Sequence, residues 1–551
     1  MADKLRVSDV FAEFLERCGV GVAFGIISVH NEPLLDALDR RKATRFVMTR
    51  GEMGATHMAD AYARVSCGLG VVISSTGPGA SSTASGLVEA RFAGSPVLHI
   101  TGQTATAYLE RGLGTVHDVP DQLGMLRSVS KAAYRVASAE TALDTLMHAG
   151  AEALTPPMGP VSVEIPIDIQ SAEIERPGIL DRFTLPIPPA LAPAPHALDA
   201  LARMVRAGGR PVLWTGSGAK HAGHAVARLA ELGFAVVTSW NGRGVLPEDH
   251  PRVLGPLGTL PEVERFYENV DLMLIAGSRL RGHETRDCTM RLPRRRVQID
   301  VDPRANGRTY TSELFLHADS ALALEGLADR LEGEWRAEPG FADEIGRVKT
   351  QAFENYRRTL GEYAAFPEII RAAMPRDAIW VRDITFHQTT WANRIFPVYG
   401  PRDNIYSVGA AIGTGMPLAI GAALAANGRK TVALCGDGGF WLNLGELWTA
   451  VQEKADVCFL VMNDRGYGVI RFIQAASHGE RRFFDDLLGP DLEGLAKLAG
   501  LPFWRVRDTD ELKTHLAAAL RQRGPTLVEV DMAAIGPFQP LHQIPRYSDK
   551  R

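Results

Sequence analysis

A single local pattern recurs along this chain and limits the folds that it can adopt. A short apolar segment is followed by a turn rich in Gly or Ser and then by an amphipathic helical stretch, as in residues 70–87, 211–232 and 431–451. Alternating strands and helices build parallel sheets that helices cover on both faces. The sequence therefore predicts an α/β protein with doubly wound parallel sheets. In such sheets, ligands gather at the carboxyl ends of the strands, where helix N-termini present free N–H groups.

Length and two shifts in composition divide the chain into domains. A chain of 551 residues is too long for one hydrophobic core. Residues 184–195, TLPIPPALAPAP, carry five prolines in twelve residues, and a segment so stiff and poor in N–H donors is typical of a surface linker. A charged segment at 331–360 separates a second block from a third. We predict three doubly wound domains, at residues 1–180, 196–330 and 355–540.

Charge and cysteine usage restrict the partners and the compartment. The chain has 60 Lys plus Arg against 64 Asp plus Glu, a net charge of −4, which gives no reason to expect nucleic acid or a membrane as partner. Its five cysteines lack the C-x-x-C spacing of zinc sites and of many redox motifs. No apolar run approaches the roughly 18 residues that a membrane span requires. A cytoplasmic protein is expected.

Two oxygen-bearing side chains lie at the ends of one unit of the third block, residues 436–464, GDGGFWLNLGELWTAVQEKADVCFLVMND. Residues 431–435 predict a buried strand, GDGG a tight turn before an amphipathic helix, and residues 457–462 the next strand. Asp437 and Asn463 thus follow the ends of two parallel strands. Such ligands beside a helix N-terminus suit a Mg²⁺ ion that holds a diphosphate. The alternative is an ordinary strand-to-helix turn.

The spacing of this unit resembles the diphosphate motif of the thiamine diphosphate enzymes, in which GDG is followed by 24 residues and then Asn. The resemblance extends from about Leu5 to Met532 and is greatest to the branch of acetolactate synthase, pyruvate oxidase and benzaldehyde lyase. That family consists of a pyrimidine-binding, a middle and a diphosphate-binding domain, which agrees with the three predicted blocks. It implies thiamine diphosphate and Mg²⁺ as cofactors, with Asp437, Asn463 and the backbone carbonyl of Arg465 as metal ligands.

The resemblance also assigns residues on the pyrimidine side of the cofactor. Glu52 matches the family glutamate that hydrogen-bonds the aminopyrimidine and promotes loss of the thiazolium C2 proton. The alternative for Glu52 is a carboxylate that only stabilises a helix N-terminus. The turn Thr76, Gly77 and Pro78 resembles the segment that contacts the pyrimidine.

Further cofactor contacts are implied in the third block. Ala410 matches a backbone carbonyl for the 4′-amino group, and Ile412 matches the apolar wedge that bends the cofactor. His387 matches a histidine of the acetolactate synthases that contacts the diphosphate, although Phe386 and Thr389 beside it differ from the family. The residues predicted to bind the diphosphate, directly or through the metal, are Gly436, Asp437, Gly438, Gly439 and Asn463.

The substrate side departs further from the family. His30 occupies the position of an active-site histidine of benzaldehyde lyase, and His117 stands where its relatives have glutamine. We predict that both histidines act in catalysis, and the alternative is a pair of histidines without a chemical role. The predicted substrate-contacting residues, which differ from their acetolactate synthase counterparts, are Ile27, Ser28, Val469 and Ile473.

The second block contains a weaker nucleotide signal. PVLWTGSGAKHAG, at residues 211–223, has a strand, G-x-G and a helix, and VQIDVD follows with Asp300 and Asp302. Acetolactate synthases and pyruvate oxidase hold FAD in this domain. The third glycine of a dinucleotide motif is missing, and LGPLGTLPEVE lacks the Met-His-Gly pattern usual in FAD-binding synthases. An empty middle domain is therefore favoured over an FAD site.

The resemblance implies a thiamine diphosphate-dependent decarboxylase or carboligase that acts on a 2-oxo acid. One alternative is a lyase or hydrolase of a 2-hydroxyketone or 1,2-diketone. Another is a noncatalytic nucleotide-binding paralogue, against which the presence of Glu52, Asp437 and Asn463 argues. Because the family joins its pyrimidine and diphosphate halves across subunits, a homodimer or homotetramer with a shared site is expected.

Overall fold

The computed structural model describes residues 4–479 and 481–538 and contains three six-stranded parallel sheets and one short antiparallel pair. Residues 1–3, 480, 539 and 540 of the predicted domains lie outside the described residues. Each sheet is covered by helices, so the predicted α/β class is confirmed. No helix in the described part of the chain is long and apolar enough to cross a membrane.

The first sheet is built from the N-terminal third of the chain. Its strands and those of the antiparallel pair are β1 (Lys4–Arg6), β2 (Val22–Gly25), β3 (Arg45–Met48), β4 (Gly70–Ser74), β5 (Val97–Gln103), β6 (Ala132–Arg135), β7 (Val161–Pro166) and β8 (Glu173–Glu175). The helices are α1 (Val7–Arg17), α2 (Glu32–Arg41), α3 (Glu52–Ser66), α4 (Pro78–Ser82), α5 (Ala84–Ala93), α6 (Gln122–Val129), α7 (Ala142–Leu154) and α8 (Ile167–Ser171). The parallel order is β3-β2-β4-β5-β7-β6, while β1 pairs with β8.

The second sheet forms the middle domain. Its strands are β9 (Pro211–Thr215), β10 (Ala235–Thr238), β11 (Val253–Gly255), β12 (Leu272–Ala276), β13 (Arg296–Asp300) and β14 (Leu314–His317). The helices are α9 (Pro195–Arg206), α10 (Gly223–Leu232), α11 (Pro261–Phe266) and α12 (Ser320–Leu331), followed by α13 (Phe341–Arg358) and α14 (Phe366–Ala373) before the next sheet. The order β11-β10-β9-β12-β13-β14 is that of dinucleotide-binding domains.

The third sheet is built from the C-terminal third. Its strands are β15 (Ile379–Arg382), β16 (Asn404–Tyr406), β17 (Thr431–Gly436), β18 (Val457–Asn463), β19 (Phe503–Val506) and β20 (Thr526–Asp531). The helices are α15 (Gly415–Ala425), α16 (Asp437–Leu442), α17 (Glu446–Gln452), α18 (Gly468–His478), α19 (Leu492–Ala499), α20 (Thr509–Arg521) and α21 (Met532–Ile535), with a π-turn at Gln388–Ala392. The order β16-β15-β17-β18-β20-β19 repeats that of the first sheet.

The two outer domains pack through equivalent helices, because α3 and α15 each follow the second strand of their parallel sheet. The sequence of α15, GMPLAIGAALA, is apolar on every side, as expected for a helix buried on all faces. Its residues Leu418 and Ala422 join Met58 and Ala59 of α3 in one hydrophobic core. The carboxyl edges of the two outer sheets are held in a fixed relation by this contact.

The helix predicted after the GDGG turn is interrupted. It is divided into α16 and α17 between Leu442 and Glu446. Asn443 lies at the interruption, where its side chain donates a hydrogen bond to the carbonyl of Gly413 at 2.6 Å. This contact anchors the interruption to the loop before α15.

The proline-rich segment runs over the surface between the first two domains, and its residues 184–194 form neither helix nor strand. Directly before it, the ring of Phe183 packs edge-on against Phe14, with centroids 5.6 Å apart. Near its end, the carbonyl of Leu191 accepts a hydrogen bond from the amide of Asp319 at 2.8 Å. The segment is therefore attached to both domains that it connects.

Candidate active site

Asp437 and Asn463 lie at the carboxyl ends of neighbouring parallel strands. Gly436, the last residue of β17, pairs with Met462 of β18, and Asn463 is the last residue of β18. Asp437 begins α16 directly after the strand. The adjacency that the sequence predicts for these two residues is therefore present.

The carboxylate of Asp437 is only partly satisfied by protein groups. Its Oδ2 accepts a hydrogen bond from the amide of Gly466 at 2.9 Å, whereas Oδ1 is buried without a hydrogen-bond partner among the described residues. Burial and the neighbouring Asp464 carboxylate raise the pKa of Asp437. Burial also raises the pKa of Asp464. Two buried carboxylates with raised pKa values form a site that a cation would stabilise.

Asn463 is held by a residue that the sequence analysis did not identify. The side-chain NH₂ group of Asn463 donates a hydrogen bond to Oε1 of Glu529 at 2.7 Å, so the side-chain oxygen of Asn463 faces away from Glu529 and is left for other contacts. That oxygen accepts a hydrogen bond from the backbone amide of Arg465 at 3.2 Å. Arg465 has a φ of +57°, and its own carbonyl accepts from Arg471 at 2.9 Å. Glu529 points from the middle of β20, TLVEVD, where an acidic residue between two valines was the available signal.

Asp383 is a second buried carboxylate that the sequence analysis missed. It follows β15, accepts hydrogen bonds from the amides of Gly413 at 2.9 Å and Ile384 at 2.7 Å, and burial raises its pKa to about 6. Its Oδ2 has no hydrogen-bond partner among the described residues and would lie 2.5 Å from a Cβ at Gly439. Glycine at position 439 therefore lets the GDGG turn approach Asp383, and a larger residue would require the buried carboxylate to shift.

The loop that carries Ala410 and Ile412 is held from the N-terminal domain. Glu89 of α5 accepts hydrogen bonds from the amides of Gly409 at 2.8 Å and Ala411 at 2.9 Å. Between them Ala410 has a φ of +69°, and the side chain of Ile412 is exposed. The arrangement presents an apolar side chain and a turned backbone at the surface of the C-terminal domain.

His387 is placed differently from the other predicted diphosphate contacts. Its Nδ1 accepts a hydrogen bond from the indole of Trp391 at 2.9 Å, and its Nε2 lies 3.5 Å from the sulfur of Met532. The ring stacks on Phe538 with centroids 4.4 Å apart, and burial lowers its pKa to about 3. His387 is therefore a neutral, enclosed ring, and its contact with a diphosphate stays a prediction.

Glu52 begins α3 on the N-terminal half of the site and is partly exposed. A Cβ at Gly79 would lie 2.7 Å both from Cβ of Ser75 and from Oε1 of Glu52, so glycine at this position lets the turn approach the carboxylate. The loop before Glu52 is supported by Glu446 of the C-terminal domain, which accepts hydrogen bonds from the amides of Arg50 and Gly51.

The predicted pyrimidine turn surrounds another missed residue, Gln122. Thr76 is buried and its hydroxyl lies 2.9 Å from Oε1 of Gln122, which also accepts from the amide of Gly77 at 2.6 Å. Pro78 begins α4 and is exposed. Gln122, the first residue of α6, thus fixes the turn that approaches Glu52 and Gly79.

His30 and His117 lie side by side, with ring centroids 5.2 Å apart. Nδ1 of His117 is 3.2 Å from the hydroxyl of Ser75, while Nδ1 of His30 is buried without a partner among the described residues. Burial and the neighbouring His117 lower the pKa of His30. The two imidazole rings therefore form a pair on loops of the N-terminal domain.

The predicted substrate residues divide between the two halves. Ile27 is exposed and Ser28 is partly buried beside His30, whereas Val469 and Ile473 lie on α18 of the C-terminal domain. His30 and His117 lie on loops of the N-terminal domain, whereas Asp437 lies in the C-terminal domain, so the predicted residues form two half-sites, one on each domain.

Three family models match this chain, one in each of its domains. "Thiamine pyrophosphate enzyme, N-terminal TPP binding domain" matches residues 5–125, the central domain 198–327 and the C-terminal TPP binding domain 383–530. The probable 2-ketoarginine decarboxylase of Pseudomonas aeruginosa is 31% identical over 542 residues, which cover 96% of this chain and 94% of that protein. The chain belongs to the thiamine pyrophosphate enzymes.

Acetolactate synthases are also among the relatives of this chain. The probable acetolactate synthase 2 of Oryza sativa subsp. japonica is 30% identical over 95% of this chain and 82% of its own length. The large subunit of acetolactate synthase isozyme 1 of Escherichia coli is 27% identical over 97% of this chain and 95% of its own length. The predicted membership of the acetolactate synthase-like branch is confirmed.

As a thiamine pyrophosphate enzyme, the chain could hold the cofactor through a metal at β17 and β18. The unpartnered Oδ1 of Asp437, the side-chain oxygen of Asn463 and the carbonyl of Arg465 are hard oxygen donors of the kind that Mg²⁺ prefers. In the described part of the chain, no cluster of three or more His, Cys, Asp or Glu offers another metal site. The residues present fit the group that the family implies.

Proposed function

We propose that this protein is a Mg²⁺-dependent thiamine diphosphate decarboxylase or carboligase that acts on a 2-oxo acid. The observation that carries the proposal is the unpartnered buried oxygen of Asp437 next to Asn463, since a noncatalytic paralogue has no need to keep this costly arrangement. The names of its relatives, a 2-ketoarginine decarboxylase and acetolactate synthases, support the reaction class. Neither name identifies the side chain of this protein's substrate.

The protein's part in the reaction is to bind, orient and move protons. Thiamine diphosphate, when bound, would supply a carbon nucleophile that adds to the carbonyl and a thiazolium ring that accepts the electron pair released when a carboxylate leaves as CO₂. We assign to Glu52 the exchange of a proton with the aminopyrimidine, because a carboxyl group can both donate and accept that proton. Thr76, Gly77 and Pro78 would contact the pyrimidine. Ala410 and Ile412 would contact the cofactor from the C-terminal half.

A second candidate function is cleavage of a 2-hydroxyketone or a 1,2-diketone. The observation that favours it is the pair His30 and His117, since such cleavage moves a proton off a hydroxyl group and decarboxylation needs that step less. The lowered pKa of His30 keeps its imidazole neutral and able to accept a proton at pH 7. The same histidines would serve a carboligase that protonates a product.

A panel of substrates decides between these functions. The purified protein, with thiamine diphosphate and Mg²⁺, is incubated with 2-oxo acids of short, branched, aromatic and basic side chains, and with 2-hydroxyketones and 1,2-diketones. CO₂ and the organic products are measured. Release of CO₂ from a 2-oxo acid supports the first function, and cleavage without CO₂ supports the second. Inactivity with every class would contradict both.

We infer that the active unit is a homodimer or homotetramer with each site shared between subunits. Apolar side chains are exposed on both half-sites, with Ile27 54% and Ile412 41% exposed, and a partner subunit would cover them. Light scattering on the active protein tests this inference, and an active monomer would contradict it.

A cytoplasmic location stays a prediction; all five cysteines have free thiols.

We further infer that the middle domain holds no FAD, although its strand order suits a dinucleotide. Trp240, Tyr406 and Val408 form a small apolar core where the middle and C-terminal domains meet. Arg281, after β12, donates to the carbonyl of Val408 at 2.7 Å. Protein groups therefore occupy part of the carboxyl edge at which a dinucleotide would lie. A flavin absorbance near 450 nm in the purified protein would contradict this inference.

A further inference from the structure

A cavity lies between the middle and C-terminal domains and shares no residue with the candidate active site. Its volume is about 520 Å³, within the usual range for small-molecule sites. Val253 and Leu257 line it from the middle domain, and Met374 and Ile395 line it from the C-terminal side. Most of this wall is apolar, so water alone is a poor occupant.

Four cationic side chains also line this cavity: Lys349, Arg371, Arg376 and Arg394. Arg376 forms an ion pair with Asp249 at 2.8 Å. In the described part of the chain, Lys349, Arg371 and Arg394 have no ion pair with a carboxylate. Two carboxylates near these cations, Asp249 near Lys349 and Asp403 near Arg371, are already in ion pairs with Arg376 and Arg429. The cavity thus brings together three cations that have no carboxylate partner of their own in the described part of the chain.

Neutral groups hold these cations in place. The ammonium of Lys349 donates to the carbonyls of Glu248 at 2.8 Å and His250 at 3.0 Å. The guanidinium of Arg371 lies over the ring of Tyr399, 5.1 Å from its centroid, and donates to the carbonyl of Met374 at 3.1 Å. Burial lowers the pKa values of Lys349 and Arg371. Both charges are therefore partly removed from water at a cost in free energy.

The two acidic residues of the cavity wall do not balance this charge. Glu248 is bound through both carboxylate oxygens to Arg243, each at 2.7 Å, so its charge is already neutralised. Glu368 is exposed and forms no ion pair with a cation of the cavity among the described residues. The net charge facing the cavity is positive.

We propose that this cavity binds an organic anion, whose carboxylate or phosphate group contacts Lys349, Arg371 and Arg394. An apolar or aromatic body attached to that group would pack on Val253, Leu257 and Ile395. A charged group of this kind supplies the missing counter-ion, and the apolar body removes the cavity wall from water. The proposal does not depend on the reaction proposed for the active site.

Calorimetry with the full chain, loaded with thiamine diphosphate and Mg²⁺, tests this site. One arm titrates 3-phenylpropionate and the other AMP, so that a carboxylate source and a phosphate source are distinguished. The neutral counterparts 3-phenylpropionamide and adenosine are titrated in parallel. We expect at least one anion to bind about tenfold or more tightly than its neutral counterpart, because a charge-assisted hydrogen bond is lost in the latter.

Two variants locate the binding. Arg371→Gln removes a cation and should weaken binding of that anion by about tenfold or more. Ala372→Trp leaves every cation in place and fills the cavity from an exposed position of α14, so it should block binding even if the first variant fails to fold. Arg203→Gln, an exposed arginine of α9 outside the cavity, is the control and should bind as the wild type does.

Three results would each overturn the proposal. They are the absence of binding by both anions up to about 5 mM, equal affinity for an anion and its neutral counterpart, and unchanged binding in Ala372→Trp. Binding of AMP alone would identify a phosphate ligand, and binding of 3-phenylpropionate alone would identify a carboxylate ligand. Either of these last two results supports the site.

Discussion

The carboxylate of Glu446 accepts a hydrogen bond, 3.0 Å long, from the backbone amide of Gly51, the residue directly before Glu52. It also accepts from the amide of Arg50 at 3.1 Å and from the hydroxyl of Thr449 at 2.6 Å. Glu446 belongs to the C-terminal domain and is 2% exposed. The loop that positions Glu52 is therefore held by a different domain from the one that carries it.

Glu446→Ala should destabilise the protein, because it leaves two backbone amides without their acceptor. We expect the free energy of unfolding to fall by about 1–3 kcal/mol, as measured by urea titration followed by tryptophan fluorescence. Glu446→Gln keeps an acceptor oxygen and should lose less. Glu493→Ala, at an exposed surface ion pair, is the control with an expected change below about 0.5 kcal/mol. A loss in Glu446→Ala no larger than in the control would show that the contact has no structural role.

Glu52→Gln tests the role proposed for Glu52 in proton transfer. The variant keeps size and hydrogen bonding but cannot pass the proton, so it should retain the cofactor and lose at least about 100-fold in turnover. Exchange of the cofactor's C2 proton, followed by NMR, should slow in parallel. Glu32→Gln is a matched control, since Glu32 is the first residue of α2 as Glu52 is of α3. If the C2 proton exchanges at the normal rate in Glu52→Gln, Glu52 has no role in proton transfer and only stabilises the N-terminus of α3.

Asp437→Ala should abolish Mg²⁺-dependent binding of thiamine diphosphate. The change removes the unpartnered oxygen that the metal would occupy and leaves the backbone of the GDGG turn in place. Calorimetric titration of the cofactor with and without Mg²⁺ measures the effect. Asp456→Ala, just before the opposite end of β18, is the control. If Asp437→Ala binds the cofactor as tightly as the control does, the metal assignment is wrong.

His117→Ala should raise the pKa of His30. Burial is the main cause that lowers this pKa, and the neighbouring His117 lowers it further. The substitution weakens both effects, because it exposes His30 to more water and removes a like charge. The protonated form of His30 should therefore persist to higher pH than in the wild type. Titration of the imidazole resonances by NMR measures the shift without any substrate. His148→Ala, on α7 of the same domain, is the control and should leave the pKa of His30 unchanged. If the pKa of His30 is also unchanged in His117→Ala, the two rings do not interact.

The part of the site that follows from strand order could be predicted from the sequence. The sequence predicts that Asp437 and Asn463 are adjacent because neighbouring parallel strands end at one edge of a sheet, and β17 and β18 are such neighbours. The contacts of Glu446 and Glu89 could not be predicted in this way. Each reaches from one domain to the backbone of another, and such pairing leaves no local pattern in the sequence.

The surroundings of His387 show a different limit. Its position after β15 is a local feature, but the orientation of its ring depends on Phe538, near the end of the described chain. The break between α16 and α17 depends likewise on the hydrogen bond from Asn443 to Gly413, in another loop. Local periodicity predicts elements, whereas ring orientation and helix interruption are determined by residues that are distant in sequence.

The attachment of the proline-rich segment at both ends also affects how the domains move. The segment is restrained at Phe183 and Leu191, and the prolines between these residues stiffen it. It therefore behaves as a semi-rigid spacer and not as a flexible linker. Its end-to-end distance is nearly constant, so little entropy is recovered when it is cut. A backbone nicked between these residues should therefore keep its two fragments together under native conditions, and separate them only when the flanking domains unfold.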